Sequence, residues 1–153
     1  MIVCFAYGSN LASDRMATRC PGCRLVGVGY VNGFRLAFTR ESLHWAGAVA
    51  DLQLSPHASV WGAVFEVTDT DLKRLDAFEG VPTAYHRQKL PVHRADGSIV
   101  EAWTYLVTEP GPETLPSFRY WKALVDGGTA VGLPDEYLAF LRSLPHKDLV
   151  DDS

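Results

Sequence analysis

Over the first two thirds of the chain, apolar residues fall in short runs or alternate with polar ones, which is the period of strands; helical spacing appears at Asp69 to Glu79 and again after Ser117. Ile2 to Tyr7 is a short β-rich run that ends in the turn cluster Gly8-Ser9-Asn10, so it reads as a strand feeding a polar loop. Ser13 to Arg19 makes a short helix capped by Ser13 and stopped by Cys20-Pro21-Gly22-Cys23. Arg24 to Tyr30 and Phe34 to Thr39 are strand-like and flank Asn32-Gly33, a strong hairpin signal. Ala48 to Leu54 alternates Ala50, Leu52 and Leu54 against Val49, Asp51 and Gln53, and Val60 to Val67 puts Trp61, Ala63, Phe65 and Val67 on one face. Both read as strands.

Asp69 to Glu79 carries Leu72, Leu75 and Phe78 on one stripe, with Thr68 or Asp69 as cap and Gly80 just past the end. Tyr85 to His93 and Ile99 to Val107 flank a second tight-turn signal, Asp96-Gly97. Pro116-Ser117 and Pro134 then introduce two helices, Phe118 to Gly127 and Asp135 to Leu144. Strands joined by tight turns pair antiparallel, so the expected class is α+β: a small mixed, mainly antiparallel β-barrel with one inserted helix and two C-terminal helices. The expected organisation is a single domain over residues 1–147 and a frayed acidic tail over 148–153.

Composition narrows the function classes. With 153 residues, 47% hydrophobic and 21% charged, the chain is long enough to bury a core without a metal or disulfide staple. The net charge of -4, with arginines scattered singly (Arg15, Arg19, Arg24, Arg35, Arg40), lacks the footprint of a nucleic-acid binder. No run reaches the ~20 apolar residues of a spanning helix, and MIVCFAYGSN has no basic flank of a signal peptide, so the expected location is cytoplasmic. Three cysteines, an odd count, fit a reducing compartment.

Four groups carry candidate chemistry. In Tyr7-Gly8-Ser9-Asn10, a glycine after a buried strand lets the backbone turn and present N–H groups to a carboxylate or oxyanion; the plainer reading is a capped strand-to-helix turn. Glu79 sits against the negative end of its helix dipole, which raises its pKa; that is an asset in a general base and a small cost in a surface residue. Asp76 is expected to face water. Cys20-Pro21-Gly22-Cys23 has redox-motif spacing but follows a helix instead of opening one, which favours a plain turn over a thiol oxidoreductase. Tyr105 shares a strand face with Trp103 and Val107, as a core residue or as a phenol holding a carboxylate. The five histidines have no ligand spacing, and no phosphate loop or dinucleotide fingerprint appears.

Taken in order, FAYGSNL, WAGAVADL, VWGAVFEV, LDAFEG, TYLV and PSFRYWKALVDGGTAVGLPDEYLAFL resemble the γ-glutamylcyclotransferase family (AIG2-like, with relatives of the butirosin type) over nearly the whole chain. The resemblance implies that the α-amine of a γ-glutamyl group attacks its own γ-carbonyl, releasing 5-oxoproline and a free amine or amino acid. It implies Glu79 as the catalytic proton shuttle, and Tyr7, Gly8, Ser9, Asn10, Leu11 and Tyr105 as substrate-binding residues, with Tyr105 orienting the glutamate or the substrate. It further implies a small-molecule γ-glutamyl substrate, no cofactor, no metal, no nucleic-acid or membrane partner, and a monomer or homodimer. The loop reads YGSN, unlike the YGSL of glutathione-specific members, which points away from glutathione. Pro-Ser-Phe-Arg-Tyr is similar both to members that deprotect an aminoglycoside intermediate and to general γ-glutamyl-amino acid enzymes. The alternative reading is a non-catalytic small-metabolite-binding module on the same fold.

Overall fold

A computed structural model describes residues 2–148; the predicted acidic tail, apart from Asp148, lies outside the described residues. Five strands close into a barrel in the order β1-β3-β2-β4-β5, where β1 is Ile2–Ala6, β2 Arg24–Ser42, β3 Gly47–Val67, β4 Tyr85–Arg94 and β5 Ile99–Val107. All pairings are antiparallel except β1 with β5, which run parallel and meet at Cys4 and Trp103. The mixed, mainly antiparallel barrel is therefore as the sequence predicts. A 3₁₀ turn at Ser9–Leu11 leads into helix α1 (Ser13–Arg19); α2 (Asp69–Glu79) links β3 to β4; α3 (Phe118–Val131) and α4 (Asp135–Ser143) close the fold. Among the described residues, no helix is long and apolar enough to cross a membrane.

The Asp96-Gly97 hairpin forms as expected, with Gly97 at φ +87° and the Arg94 N–H donating to Ser98 at 2.8 Å. Asn32-Gly33 does not form a turn. β2 runs straight through it, and the register steps from Asn32 opposite Ser59 to Phe34 opposite Leu54, so Gly33 at φ +83° faces the stretch Ser55 to Ala58. A two-residue turn of that type requires positive φ at both central positions, but only the glycine has it, and a glycine in that region makes a bulge inside a continuing strand. The two strands expected at 48–54 and 60–67 are accordingly one strand, β3, in which Ser55 to Ala58 have no register partner on β2 and Pro56 has no N–H for the ladder. The actual β2–β3 connection is the segment Leu43 to Ala46, where Ala46 takes φ +58°.

Helix α2 starts with a reciprocal cap: the Asp71 N–H donates to Thr68 Oγ1 (3.0 Å) and the Thr68 N–H to Asp71 Oδ2 (3.2 Å). It ends on Gly80 in the left-handed region at φ +67°. Leu72 and Leu75 are buried as expected, but Phe78 is 52% exposed, its ring under the Arg19 guanidinium at 4.8 Å. By the last turn the helix has climbed past the barrel surface, so the continuation of its apolar stripe overhangs a cleft.

β1 is pressed tightly into the barrel. A Cβ on Gly62 would lie 2.3 Å from the Ala6 carbonyl oxygen and 2.7 Å from the Phe5 ring. Gly62→Ala is therefore expected to cost about 1–3 kcal/mol through forced backbone displacement, read as a lowered Tm in thermal unfolding; an unchanged Tm means that β1 has room to move.

Candidate active site

Where β1 ends, the chain leaves the sheet and the β3 edge loses its partner. β1 pairs with β3 only over Ala63–Val67, so further along β3 the backbone of Ala50 turns toward an open gap. Two buried phenols fill it. Tyr120 Oη accepts from the Ala50 N–H at 3.0 Å, and Tyr85 Oη donates to the Ala50 carbonyl at 3.1 Å. A third, Tyr7, donates to the carbonyl of Tyr105 at 2.5 Å. Burial, before any other cause, raises the pKa of all three, so they stay neutral hydroxyls.

Gly8 is needed here for close approach, not for a special dihedral: its φ is −112°, but a Cβ would lie 3.0 Å from Tyr120 Oη. The loop then enters its 3₁₀ turn, whose first N–H groups have no partner within the turn itself. Leu11 does not line the cavity. Its side chain is fully buried, and the turn it anchors lies against α3, where a Cβ on Gly127 would sit 2.9 Å from the Leu11 carbonyl carbon.

Glu79 stands at the neck between two spaces. Outside is a cleft of about 760 Å³, and inside is a small cavity of about 40 Å³ bounded by Tyr7, Gly8, Asn10 and Tyr105; Ser9, Glu79, Tyr85 and Tyr120 border both. The Glu79 side chain is 15% exposed. Asn10 Nδ2 donates to Glu79 Oε1 at 3.0 Å, while Asn10 Oδ1 accepts from Arg19 Nη1, also at 3.0 Å. Arg19 Nη1 itself lies 3.6 Å from Glu79 Oε1. Both contacts fall on one oxygen, leaving Oε2 with no hydrogen-bond partner among the described residues. The Glu79 pKa is raised, chiefly by burial; the charges of Arg19, Arg15 and Arg40 and the Asn10 hydrogen bond pull the other way. The expected direction thus holds, with desolvation as its main cause.

Asp76 does not face water as expected. One turn before Glu79, its Oδ1 accepts from Tyr105 Oη at 2.7 Å and lies 2.8 Å from Arg87 Nε, in ion-pair contact. Tyr105 therefore reaches the inner cavity with its ring, but its hydroxyl is held by Asp76, not by Glu79. Cys20 is fully buried at the C-terminal end of α1, and burial with the nearby Asp71 charge pushes its thiol up to about 12. The Cys23 thiol is also raised by burial, so neither cysteine supplies the thiolate that an oxidoreductase needs. Among the described residues, no three His, Cys, Asp or Glu side chains gather into a metal site.

The sequence reading missed Arg15, Arg19, Arg40, Trp45, Tyr85 and Tyr120. One signal was available: Arg15 and Arg19 are four apart on α1 and therefore share a face.

The model of the AIG2-like family matches residues 59–141. Human γ-glutamylcyclotransferase is 33% identical over 151 residues, covering 94% of this chain and 79% of the human protein. The chain belongs to the AIG2-like γ-glutamylcyclotransferase family. A solved γ-glutamyl cyclotransferase superimposes with a TM-score of 0.93 at 30% identity, covering 97% of this chain and 90% of that one. A yeast γ-glutamyl cyclotransferase specific to glutathione shares the fold alone, with a TM-score of 0.64 at 13% identity over 92% of this chain and 93% of that one.

The raised Glu79 pKa has a consequence for stability in this family member. Above the folded pKa, the protein bears the cost of a desolvated charge; as pH falls through that value, the carboxylate takes up a proton and the cost disappears. Glu79→Gln is neutral at every pH, so its Tm is expected to exceed that of the unmodified protein at pH 8, with the difference narrowing toward pH 4. A gap that widens on acidification contradicts a raised pKa.

Proposed function

We propose that the protein is a γ-glutamylcyclotransferase that cleaves a small γ-glutamyl compound to 5-oxoproline and a free amine or amino acid, with Glu79 as general acid and base. The observation that carries this reading is the Glu79 carboxylate at the neck of the two cavities, with Oε2 uncommitted and its pKa raised by burial. The family relatives named above support it.

The chemistry follows from that placement. The α-ammonium of the glutamyl group gives a proton to Glu79 Oε2, and the freed amine attacks the γ-carbonyl carbon. The new C–N bond closes a five-membered ring and puts negative charge on the carbonyl oxygen. Glu79 returns the proton to the leaving nitrogen as the old C–N bond breaks, and the second proton, still on the ring nitrogen after attack, passes through the same carboxylate to the freed amine, which departs as an ammonium. An elevated pKa suits both transfers, because the group must be ionised before the first and acidic enough for the second. Holding the chain bent supplies part of the advantage of intramolecular attack, for which effective molarities reach ~10⁵ M and above. N–H groups of the Tyr7 to Asn10 loop would stabilise the oxyanion, typically by ~3 kcal/mol for one donor.

Tyr105, held by Asp76, acts as a wall of the inner cavity. No cofactor or metal takes part in these steps. The same reading sets the protein in the cytoplasm, as a monomer or homodimer without nucleic-acid or membrane partners; its three unpaired cysteines fit a reducing compartment.

Incubating the purified protein with γ-glutamyl dipeptides and γ-glutamyl amines should release 5-oxoproline, detected by mass spectrometry. Glu79→Gln should lower kcat by at least ~10²-fold, the scale of general acid-base catalysis. Thermal stabilisation by these compounds with no product formed from any of them would instead identify a binding module. Replacing Cys20 and Cys23 by serine should leave 5-oxoproline formation in place, and its loss together with a retained fold would reopen the thiol reading.

A further inference from the structure

The outer cleft carries more positive charge than the acids on its lining neutralise. Three guanidinium groups line it: Arg15, Arg19 and Arg40. Arg19 is committed to Asn10 and Glu79. Arg15 and Arg40 form no ion pair among the described residues. Arg15 has its Cζ 4.8 Å from the centre of the Trp45 ring and its Nε buried and unpartnered, while Arg40 sits 5.9 Å from the centre of the Tyr85 ring. Burial and the neighbouring Arg19 charge both act against the positive charge of Arg15. The acids on the lining are Glu79, already facing Arg19, and Asp14, exposed at the rim. A site that buries the Nε of Arg15 without a partner and gives neither Arg15 nor Arg40 an ion pair among the described residues is matched to an incoming anion, and the planar fork of arginine suits a carboxylate.

Position decides which part of the substrate that anion belongs to. The glutamyl group must occupy the neck and the inner cavity to bring its amine to Glu79. The leaving half then extends into the outer cleft, whose volume falls in the range of small-molecule sites. We propose that Arg15 and Arg40 form a leaving-group subsite selective for carboxylates, so that the preferred substrate is a γ-glutamyl derivative of an acidic amino acid, which carries one carboxylate for each guanidinium. This rests on the cyclotransferase reading above. It also sets a polycationic leaving group, such as an aminoglycoside or a polyamine, against the field of the cleft.

The test is a kcat/KM series with four substrates differing only in the leaving group: γ-glutamyl-glutamate, γ-glutamyl-alanine, γ-glutamyl-ethylamide and γ-glutamyl-putrescine. The expected order is the one just given, with each carboxylate worth about tenfold, or ~1.4 kcal/mol, and the effect carried mainly by KM. In Arg40→Gln and in Arg15→Gln, the ratio between γ-glutamyl-glutamate and γ-glutamyl-ethylamide should fall about tenfold. If Arg15→Gln does not fold, Arg40→Gln and the wild-type series decide.

Ethylamide or putrescine substrates used as well as the dicarboxylate overturn the proposal while leaving the cyclotransferase intact. A carboxylate preference that neither substitution alters overturns the assignment to these arginines. Absence of 5-oxoproline from all four overturns the cyclotransferase reading, and this inference with it.

Discussion

The insertion of β1 between β3 and β5 is the constraint on which the site depends. Its five residues close the barrel, antiparallel to one neighbour and parallel to the other, and the fit is so tight that Gly62 admits no side chain beneath Ala6. A strand this short satisfies only part of the long β3 edge. The remainder would leave the N–H and C=O of Ala50 buried without partners, a cost of a few kcal/mol. The phenols of Tyr120 and Tyr85 meet that need, and in doing so line the cavity beside the loop that follows β1. The cavity is therefore a by-product of barrel closure, and its polar lining is first of all a repair of an unpaired sheet edge.

Into this gap the fold places one carboxylate, through elements on opposite sides. β3 exits into α2, the Thr68 and Asp71 cap fixes where that helix begins, and eleven residues later its end lies over the loop after β1. The bond from Asn10 to Glu79 joins positions 69 residues apart. Burial and positive charge act on Glu79 in opposite senses: desolvation drives the pKa up, and three guanidinium groups hold it back. The balance leaves the pKa above its ordinary value, the direction that suits a group passing a proton both ways.

What the letters revealed tracks how local the physics is. Helix α2, its cap and its glycine stop were legible because each signal lies within a few residues of the element it controls, and the same holds for the Asp96-Gly97 turn. Asn32-Gly33 misled because the dipeptide permits both a hairpin turn and a bulge; the choice was made by β3, whose unpaired stretch Ser55 to Ala58 lets β2 run on. Phe78 misled because periodicity reports a face without reporting how far along a helix the core extends. Leu11 sits within a motif that reads as a binding loop, yet it serves as the loop's anchor under α3. The spacing of Arg15 and Arg19 puts those two on one face of α1, but nothing local marks Arg40 as their neighbour; only the folded arrangement of α1 over the barrel mouth collects the three. Asp76 was set aside as a surface residue on helix geometry alone, without the strand face that carries Tyr105 and Arg87.

The identity of position 10 shows how a single side chain couples these layers. The Asn10 amide donates to Glu79 with its nitrogen and accepts from Arg19 with its oxygen, so it bridges the two ions, which themselves pair at 3.6 Å. An aliphatic residue there, as in the YGSL loop, makes neither bond. Arg19 would then be free to close further on Glu79, which lowers the carboxylate pKa, or to leave it for the leaving-group side of the cleft that it already lines, which raises it. Asparagine prevents both outcomes by occupying the two groups at once. The loop sequence thus sets the basicity of the shuttle and the charge of the cleft together, which makes the YGSN to YGSL difference more than a change in the shape of the pocket.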